Sequence, residues 1–324
     1  TLGKRTPQQV TYDPGYFMFG GHRFNDDKEG GHGAVDMYKS IVASCDTYYY
    51  ALANDLGVDA IHDFMAPLGL GQLTGIDVQG ELRGTLPSTE WKRNAYRKKE
   101  AQKWYAGETI SLGIGQGYNN FTMLQMATAY STIASGGQRF KPRLVRDIED
   151  VVKHEQKRIA SDALEPLPLK PADVAVIQNA MNGVTLEGTS RQVFMGAAYQ
   201  SGGKTGTAQA VGLKAGEKYS SIKADERKRD HSLYVGFAPV DHPTVALALI
   251  VENAGWGSSS AAPIARRVFD YLLLGQYPSE EDIAKTQLGQ TFAPIGTPRK
   301  AADVPLLPGQ AASATPAPAS GASR

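Results

Sequence analysis

Ser201-Gly-Gly-Lys-Thr-Gly-Thr-Ala-Gln209 sets a cation, a residue without a side chain and two hydroxyls within four positions. Two β-branched threonines followed by Ala-Gln-Ala suit a strand. On a strand alternate residues share a face, so Lys204 and Gly206 point one way and Thr205 and Thr207 the other. Such an edge can take an extended, carboxylate-bearing peptide by strand addition, with ammonium and hydroxyl contacts at its end. Taken alone the Lys-Thr-Gly string is short enough to arise by chance, and a lysine on an exposed strand explains it as well.

A second polar string lies upstream. Ser44-Cys45-Asp46 opens Thr47-Tyr-Tyr-Tyr-Ala-Leu-Ala-Asn-Asp-Leu56, a run free of glycine and proline that Gly57 ends, which predicts a helix over 47–56. Ser44 or Asp46 is placed to cap it, and a cap can also hold a polar side chain at a cleft edge. Further helices are predicted over 59–68 and over 122–133, both stopped by glycines. Another runs from Pro171 to Val184, with proline near its start. Three apolar strands follow, around Lys204, over 233–237 and over 245–251, with His242-Pro243 turning between the last two. An amphipathic helix over 261–274 comes next. The residues alone therefore give an α+β class, an antiparallel sheet with helices on its faces.

The 324 residues suit one large domain, 1–287, and a Pro/Ala-rich tail, 288–324. The tail ends Pro316-Ala-Pro-Ala-Ser-Gly-Ala-Ser-Arg324, too poor in apolar surface to offset its ordering entropy, and is expected to be disordered. Hydrophobic content of 41% is ordinary for a globular protein. A net charge of +1 makes no case for nucleic acid, and Arg227-Lys-Arg229, flanked by Asp225, Glu226 and Asp230, reads as a solvated loop. A single cysteine excludes an internal disulfide. No run approaches the length of a membrane-spanning helix.

Asp13, Asp26, His32 and Cys45 are candidate metal ligands. One thiolate, one imidazole and two carboxylates suit Zn²⁺ better than a hard cation. Their spacing forms no compact motif, and a lone cysteine is most often a buried small hydrophobe. Asp26 is the least secure of the four because Asp27 adjoins it. Gly113-Ile-Gly-Gln-Gly117 lacks the full dinucleotide-binding pattern and reads as backbone at a close approach. Trp104, Tyr105 and Trp256 fit either a cleft lining or core packing.

Asp13-Pro-Gly-Tyr16, Gly31-His-Gly33, Ser44-Cys-Asp-Thr-Tyr-Tyr-Tyr50, Gly75-Ile-Asp77, Leu112-Gly-Ile-Gly-Gln-Gly117, Gly203-Lys-Thr-Gly-Thr-Ala-Gln209, Gly212-Leu-Lys214, Arg229-Asp-His231 and Phe237-Ala-Pro239 occur in that order. Together they resemble the elongation-class penicillin-binding proteins, the peptidoglycan D,D-transpeptidases of Gram-negative bacteria, from about Tyr12 to Gly275. The resemblance implies the fold shared with serine β-lactamases. It implies cross-linking of stem peptides ending in D-Ala-D-Ala through a serine acyl-enzyme, with β-lactams as inhibitors. It also implies the periplasmic face of the inner membrane, and elongation-complex membrane proteins such as a glycosyltransferase as partners.

In that frame Ser44 relays a proton between the motif lysine and the leaving amine, and Asp46, taken as ionised, holds that lysine or a substrate N–H. Lys204 supplies positive potential. Thr205 or Thr207 binds the substrate carboxylate, the family pattern favouring Thr207, and Gly206 admits the substrate closely. A backbone N–H near Thr207 serves as an oxyanion donor. The resemblance also implies that Asp13, Asp26, His32 and Cys45 form one closed, structural zinc site that fixes the loop beside Ser44.

The family's nucleophile motif, Ser-x-x-Lys, does not stand before Ser44. Thr1-Leu2-Gly3-Lys4 has the spacing but begins with threonine, and Ser220-Ser-Ile-Lys223 follows Lys204 in a polar stretch and reads as a chance match. The expectation is therefore a fragment of a longer, membrane-anchored enzyme, beginning just after the nucleophile and inactive by itself. The alternatives are a non-catalytic scaffold module of the same family and a serine β-lactamase or D,D-carboxypeptidase.

Overall fold

The structure, a computed structural model, describes residues 2–211, 225–300 and 304. Gly212-Leu-Lys214, Ser220-Ser-Ile-Lys223 and most of the expected tail lie outside the described residues. Four short strands come first: β1 (Thr11–Asp13), β2 (Tyr16–Phe19), β3 (His22–Asn25) and β4 (Gly33–Val35). β1 pairs with β4 and β2 with β3, both antiparallel, so Asp13 faces Gly33. The tight return depends on Gly31, at φ +74, where a Cβ would lie 2.3 Å from the Asp13 carbonyl oxygen.

Helix α1 (Met37–Val42) is capped by Asp36, whose carboxylate accepts the Lys39 N–H. Helix α2 (Asp46–Leu56) follows after three residues. The predicted helix over 47–56 is present, but neither Ser44 nor Asp46 caps it. Cys45 takes the N-cap position and Asp46 is already the first helical residue. Ser44 belongs instead to the end of α1. The Cys45 N–H donates to the Ser40 carbonyl at 2.9 Å and the Ser44 N–H to the Ile41 carbonyl at 3.3 Å. That pair of bonds is a Schellman closure, and it puts Ser44 at φ +60, the left-handed position that glycine usually fills. A non-glycine residue there costs about 1–3 kcal/mol, stored at one point of the backbone.

The prediction over 59–68 resolves into α3 (Val58–Met65) and a single 3₁₀ turn, Ala66–Leu68. Next come α4 (Thr89–Ala95), α5 (Ala106–Leu112) and α6 (Met123–Ala134). Thr122 and Gln125 form a reciprocal capping box at the start of α6, which explains why its beginning was readable. Helix α7 (Pro171–Leu186) runs two residues beyond its predicted end.

The main sheet holds β5 (Gly202–Ala208), β6 (His231–Ala238) and β7 (Val245–Val251), antiparallel in the order β7-β6-β5. Lys204 pairs with Val235, Gly206 with Leu233 and Tyr234 with Leu249. Helix α8 (Ala261–Leu274) covers one face, where Ala261, Ala265 and Phe269 pack with Tyr234. On the other face Phe237 packs with Ile41 of α1, Ala134 of α6, and Ala180 and Val184 of α7. Burying each such large side chain is worth about 1.5–3 kcal/mol. The two layers hold β5 against the end of α1.

The expected boundary at 287 falls too early. After α8 come β8 (Gln276–Tyr277), α9 (Glu280–Gln287) and β9 (Arg299–Lys300), which pairs with β8. Asp282 is fully buried and ion-paired with Arg267, and such a carboxylate needs donors. The Ile295 N–H supplies one at 3.3 Å, and Arg267 also donates to the Phe292 carbonyl at 3.1 Å. Residues 291–300 return to the fold through these bonds, through the Ser279 hydroxyl donating to the Ile295 carbonyl at 2.8 Å and through the β8–β9 pair, none of which their composition reveals.

Candidate active site and metal cluster

The left-handed turn at Ser44 aims its hydroxyl at β5. Lys204 Nζ donates to Ser44 Oγ at 2.7 Å and to its neighbour's carbonyl, Thr205 O, at 2.9 Å. Burial pulls the Lys204 ammonium down to about 8, against the opposing pull of the Asp46 and Asp27 carboxylates. Burial first, then Asp26 and Asp27, push Asp46 up to about 7, with Lys204 acting the other way. Those opposing pulls couple Asp46 and Lys204 electrostatically.

The two threonines on the far face of β5 differ. Thr205 Oγ1 lies 2.8 Å from Thr189 Oγ1. Thr207 Oγ1 accepts the Gly257 N–H at 3.3 Å, and among the described residues its own O–H has no acceptor, so it can donate to a ligand. Gly206 sits over Leu233, whose Cβ would lie 3.2 Å from an added Cβ. The glycines ahead of Lys204 are set by aromatic rings of β6. A Cβ on Gly203 would fall 1.8 Å from the Tyr234 hydroxyl, and one on Gly202 2.5 Å from the Phe237 ring. Among the described strands β5 has a neighbour on one side only, the arrangement that strand addition requires.

Ser201-Gly-Gly-Lys204 also has the Ser-x-x-Lys spacing, which the sequence reading passed over. In extended chain residues three apart face opposite ways. Ser201 Oγ is buried without a partner among the described residues, whereas Lys204 Nζ reaches Ser44.

Beside Ser44 the four candidate ligands converge. His32 Nδ1 lies 3.0 Å from Asp13 Oδ2 and 3.2 Å from Asp26 Oδ1, and Cys45 Sγ lies 3.5 Å from Asp13 Oδ2 and from Asp26 Oδ2. One donor atom from each residue falls within 4.8 Å of all the others. Tetrahedral zinc with bonds of about 2.0–2.3 Å has donor–donor edges of about 3.3–3.6 Å, so the donor set fits that ion. Asp26, which is buried, contributes the donor atom to this cluster, and the more exposed Asp27 does not. Burial alone would raise Asp13, but the nearby Thr47 hydroxyl, the Gly15 and His32 N–H groups, each at 2.7 Å, and the His32 ring hold it at about 2. Burial pushes the Cys45 thiol up, and Asp26 and Asp13 add to that. Asp26 also accepts the Thr47 N–H at 2.9 Å, so the cluster is bonded to the first turn of α2.

Gly113 explains its string: a Cβ there would lie 2.4 Å from the Tyr49 carbonyl oxygen, so α5 packs directly on α2. Trp104 is half-buried. Its indole N–H donates to Thr109, and its ring, with Tyr105 and Tyr118, stands 5.4 Å from Lys92 Nζ. Trp256 is 57% exposed. Lys92 is buried and donates to Glu108, at 2.6 Å for Oε2. Glu108→Ala strands that ammonium among aromatic rings and should cost about 3–5 kcal/mol, read as a lowered denaturant midpoint. A change inside experimental error would show that the rings alone hold the cation. Arg227 to Arg229 form an exposed turn in which Lys228 pairs with Asp225 at 3.2 Å, the solvated loop the sequence predicts.

The penicillin binding protein transpeptidase domain matches residues 3–270. The chain belongs to that family. It is 38% identical over 283 residues to the peptidoglycan D,D-transpeptidase MrdA of Haemophilus influenzae, covering 85% of this chain and 42% of that one. The solved PBP2 of Pseudomonas aeruginosa, in complex with WCK 5153, superposes with a TM-score of 0.71 at 36% identity, over 86% of this chain and 56% of that one. A Helicobacter pylori PBP2 solved in complex with MreC aligns at 25% identity with a TM-score of 0.68, over 84% of this chain and 46% of that one. The expected α+β penicillin-recognising fold and elongation-class kinship are borne out. The chain spans about two-fifths of the length of its MrdA relative.

Proposed function

We propose that this penicillin-binding domain serves a peptidoglycan D,D-transpeptidase that cross-links stem peptides during cell elongation and rod-shape maintenance, at the periplasmic face of the inner membrane. The observation that carries the reading is the 2.7 Å bond between Lys204 Nζ and Ser44 Oγ, which joins the family's second and third motifs across 160 residues. The acylating serine is that of Ser-x-x-Lys, which is not among residues 1–43, so these 324 residues by themselves are inactive in this reading.

The serine oxygen bonds to the penultimate D-Ala carbonyl carbon, the peptide bond breaks, and terminal D-Ala leaves as an amine. Ser44, held by Lys204, passes the proton to that nitrogen. An acceptor-strand amine then attacks the ester, and the serine recovers its proton by the reverse relay. Lys204 and the free O–H of Thr207 hold the terminal carboxylate, Thr205 supports the strand beside them, and Gly206 leaves room for the peptide along β5. Asp46 lies beside Lys204 and balances its charge. β-Lactams enter as acylating mimics of D-Ala-D-Ala. Membrane proteins of the elongation complex, including a glycosyltransferase, are the proposed partners; the H. pylori relative's complex with MreC supports this kind of assembly. Zinc is the proposed occupant of the Asp13–Asp26–His32–Cys45 cluster, where it would offset the crowded carboxylates and hold Cys45, and so Ser44, in place.

The pH dependence tests this reading. Lys204 is cationic below about 8 and neutral above it. Penicillin acylation of the full-length protein should therefore fall as pH rises from about 7 to about 9, because the carboxylate loses its cation. A profile flat across that range would show that Lys204 charge plays no part.

A further inference from the structure

The Ser44–Lys204 contact joins two elements, the end of α1 and the edge strand β5, that α7 separates in sequence and packs against on both sides. Toward β5, Asn182 Nδ2 and Thr185 Oγ1 donate to the Ser201 carbonyl at 3.0 and 2.8 Å. Toward α1, a Cβ on Gly183 would fall 2.4 Å from the Tyr38 hydroxyl, and one on Gly188 2.4 Å from the Val42 carbonyl oxygen. Val42 is two residues before Ser44. The residue after Gly188, Thr189, has its hydroxyl 2.8 Å from that of Thr205, the residue after Lys204.

We propose that Gly188-Thr189 is the spacer that sets the Ser44–Lys204 distance, and that Thr189 is a positioning residue acting on Lys204 through Thr205. The proposal rests on the functional reading given above. The contacts close a ring: Val42 against Gly188, Thr189 bonded to Thr205, Lys204 bonded to Ser44. Among the described strands β5 is paired by β6 on one side only, so the sheet holds it by one ladder of bonds where a central strand has two. Thr205 and Lys204 point to opposite faces, so drawing Thr205 onto the loop after α7 turns Lys204 toward Ser44. The plain alternative is a hydroxyl pair that only satisfies its own polarity.

The test is the second-order rate constant for acylation of the full-length protein by a fluorescent penicillin, split into binding and acylation steps. Thr189→Val keeps the side-chain shape and removes the hydroxyl. It should lower the acylation step roughly tenfold to a hundredfold, as a misplacement of about an ångström does. Thr189→Ser should recover most of the loss. In a Thr205→Val background Thr189→Val should have little further effect, because the two act through one bond. An unchanged acylation step in Thr189→Val, or losses that multiply independently in the double variant, would overturn the proposal. Where Thr189→Val fails to fold, Thr205→Val against Thr205→Ser puts the same question from the other end: loss with valine and recovery with serine supports the bridge, and equal rates overturn it. Lys204→Ala distinguishes the levels. Normal acylation in that variant removes the functional reading itself, whereas its loss beside an unaffected Thr189→Val removes only the spacer.

Discussion

Lys204→Ala in the full-length protein should lower penicillin acylation by a factor of about a hundred or more, as losses of a single preorganised electrostatic donor do. The substitution removes both the 2.7 Å partner of Ser44 Oγ and the cation proposed to receive the ligand carboxylate. Lys223→Ala should leave the rate as it was, because the Ser220-x-x-Lys223 string belongs to no motif in its place. Circular dichroism on both variants separates a chemical loss from an unfolded one. Comparable losses from the two substitutions, with folding intact, would contradict the assignment of Lys204.

The second large effect concerns the cluster beside Ser44. Purified protein should carry about one zinc per chain, and Cys45→Ser should lower that content because a hydroxyl is a far poorer zinc ligand than a thiolate. Thermal stability should fall with it, since an ion that binds only the folded chain stabilises it by linkage. Asp27→Ala should leave the metal in place, as Asp27 is exposed and Asp26 holds the bonds to Cys45 and Thr47. Elemental analysis of metal-depleted and zinc-reloaded protein gives the answer. Zinc content indifferent to both Cys45 and His32 would return those residues to packing roles.

The two effects meet at Ser44, and that residue shows where sequence reading stops. A helix over 47–56 was legible because nothing in Thr47–Leu56 breaks it and Gly57 does. The strand pair over 233–237 and 245–251 and the helix over 261–274 were legible from their apolar patterns. Ser44 was misread as a cap because caps favour serine and aspartate, while its true place, the left-handed end of α1, favours glycine. The turn after α1 overrode the local preference, and local preference is what a sequence displays. The return of residues 291–300 was hidden for a different reason: it is made by contacts to Ser279, Arg267, Asp282 and β8, which only tertiary packing brings together. The Thr189–Thr205 bridge was equally hidden, since nothing in Gly188-Thr189 marks it as facing β5. The four candidate ligands were singled out by the family resemblance rather than by their spacing, and the folding of β1 onto β4 brings Asp13 and His32 to Cys45.

The central claim, that Ser44 and Lys204 belong to a cross-linking site, is tested most directly by supplying the full-length protein with stem-pentapeptide glycan strands and analysing the products by mass spectrometry. The account predicts cross-linked dimers formed together with released D-alanine, both lost in Ser44→Ala and in Lys204→Ala. Release of D-alanine without dimers, or dimers formed undiminished by either variant, would contradict it.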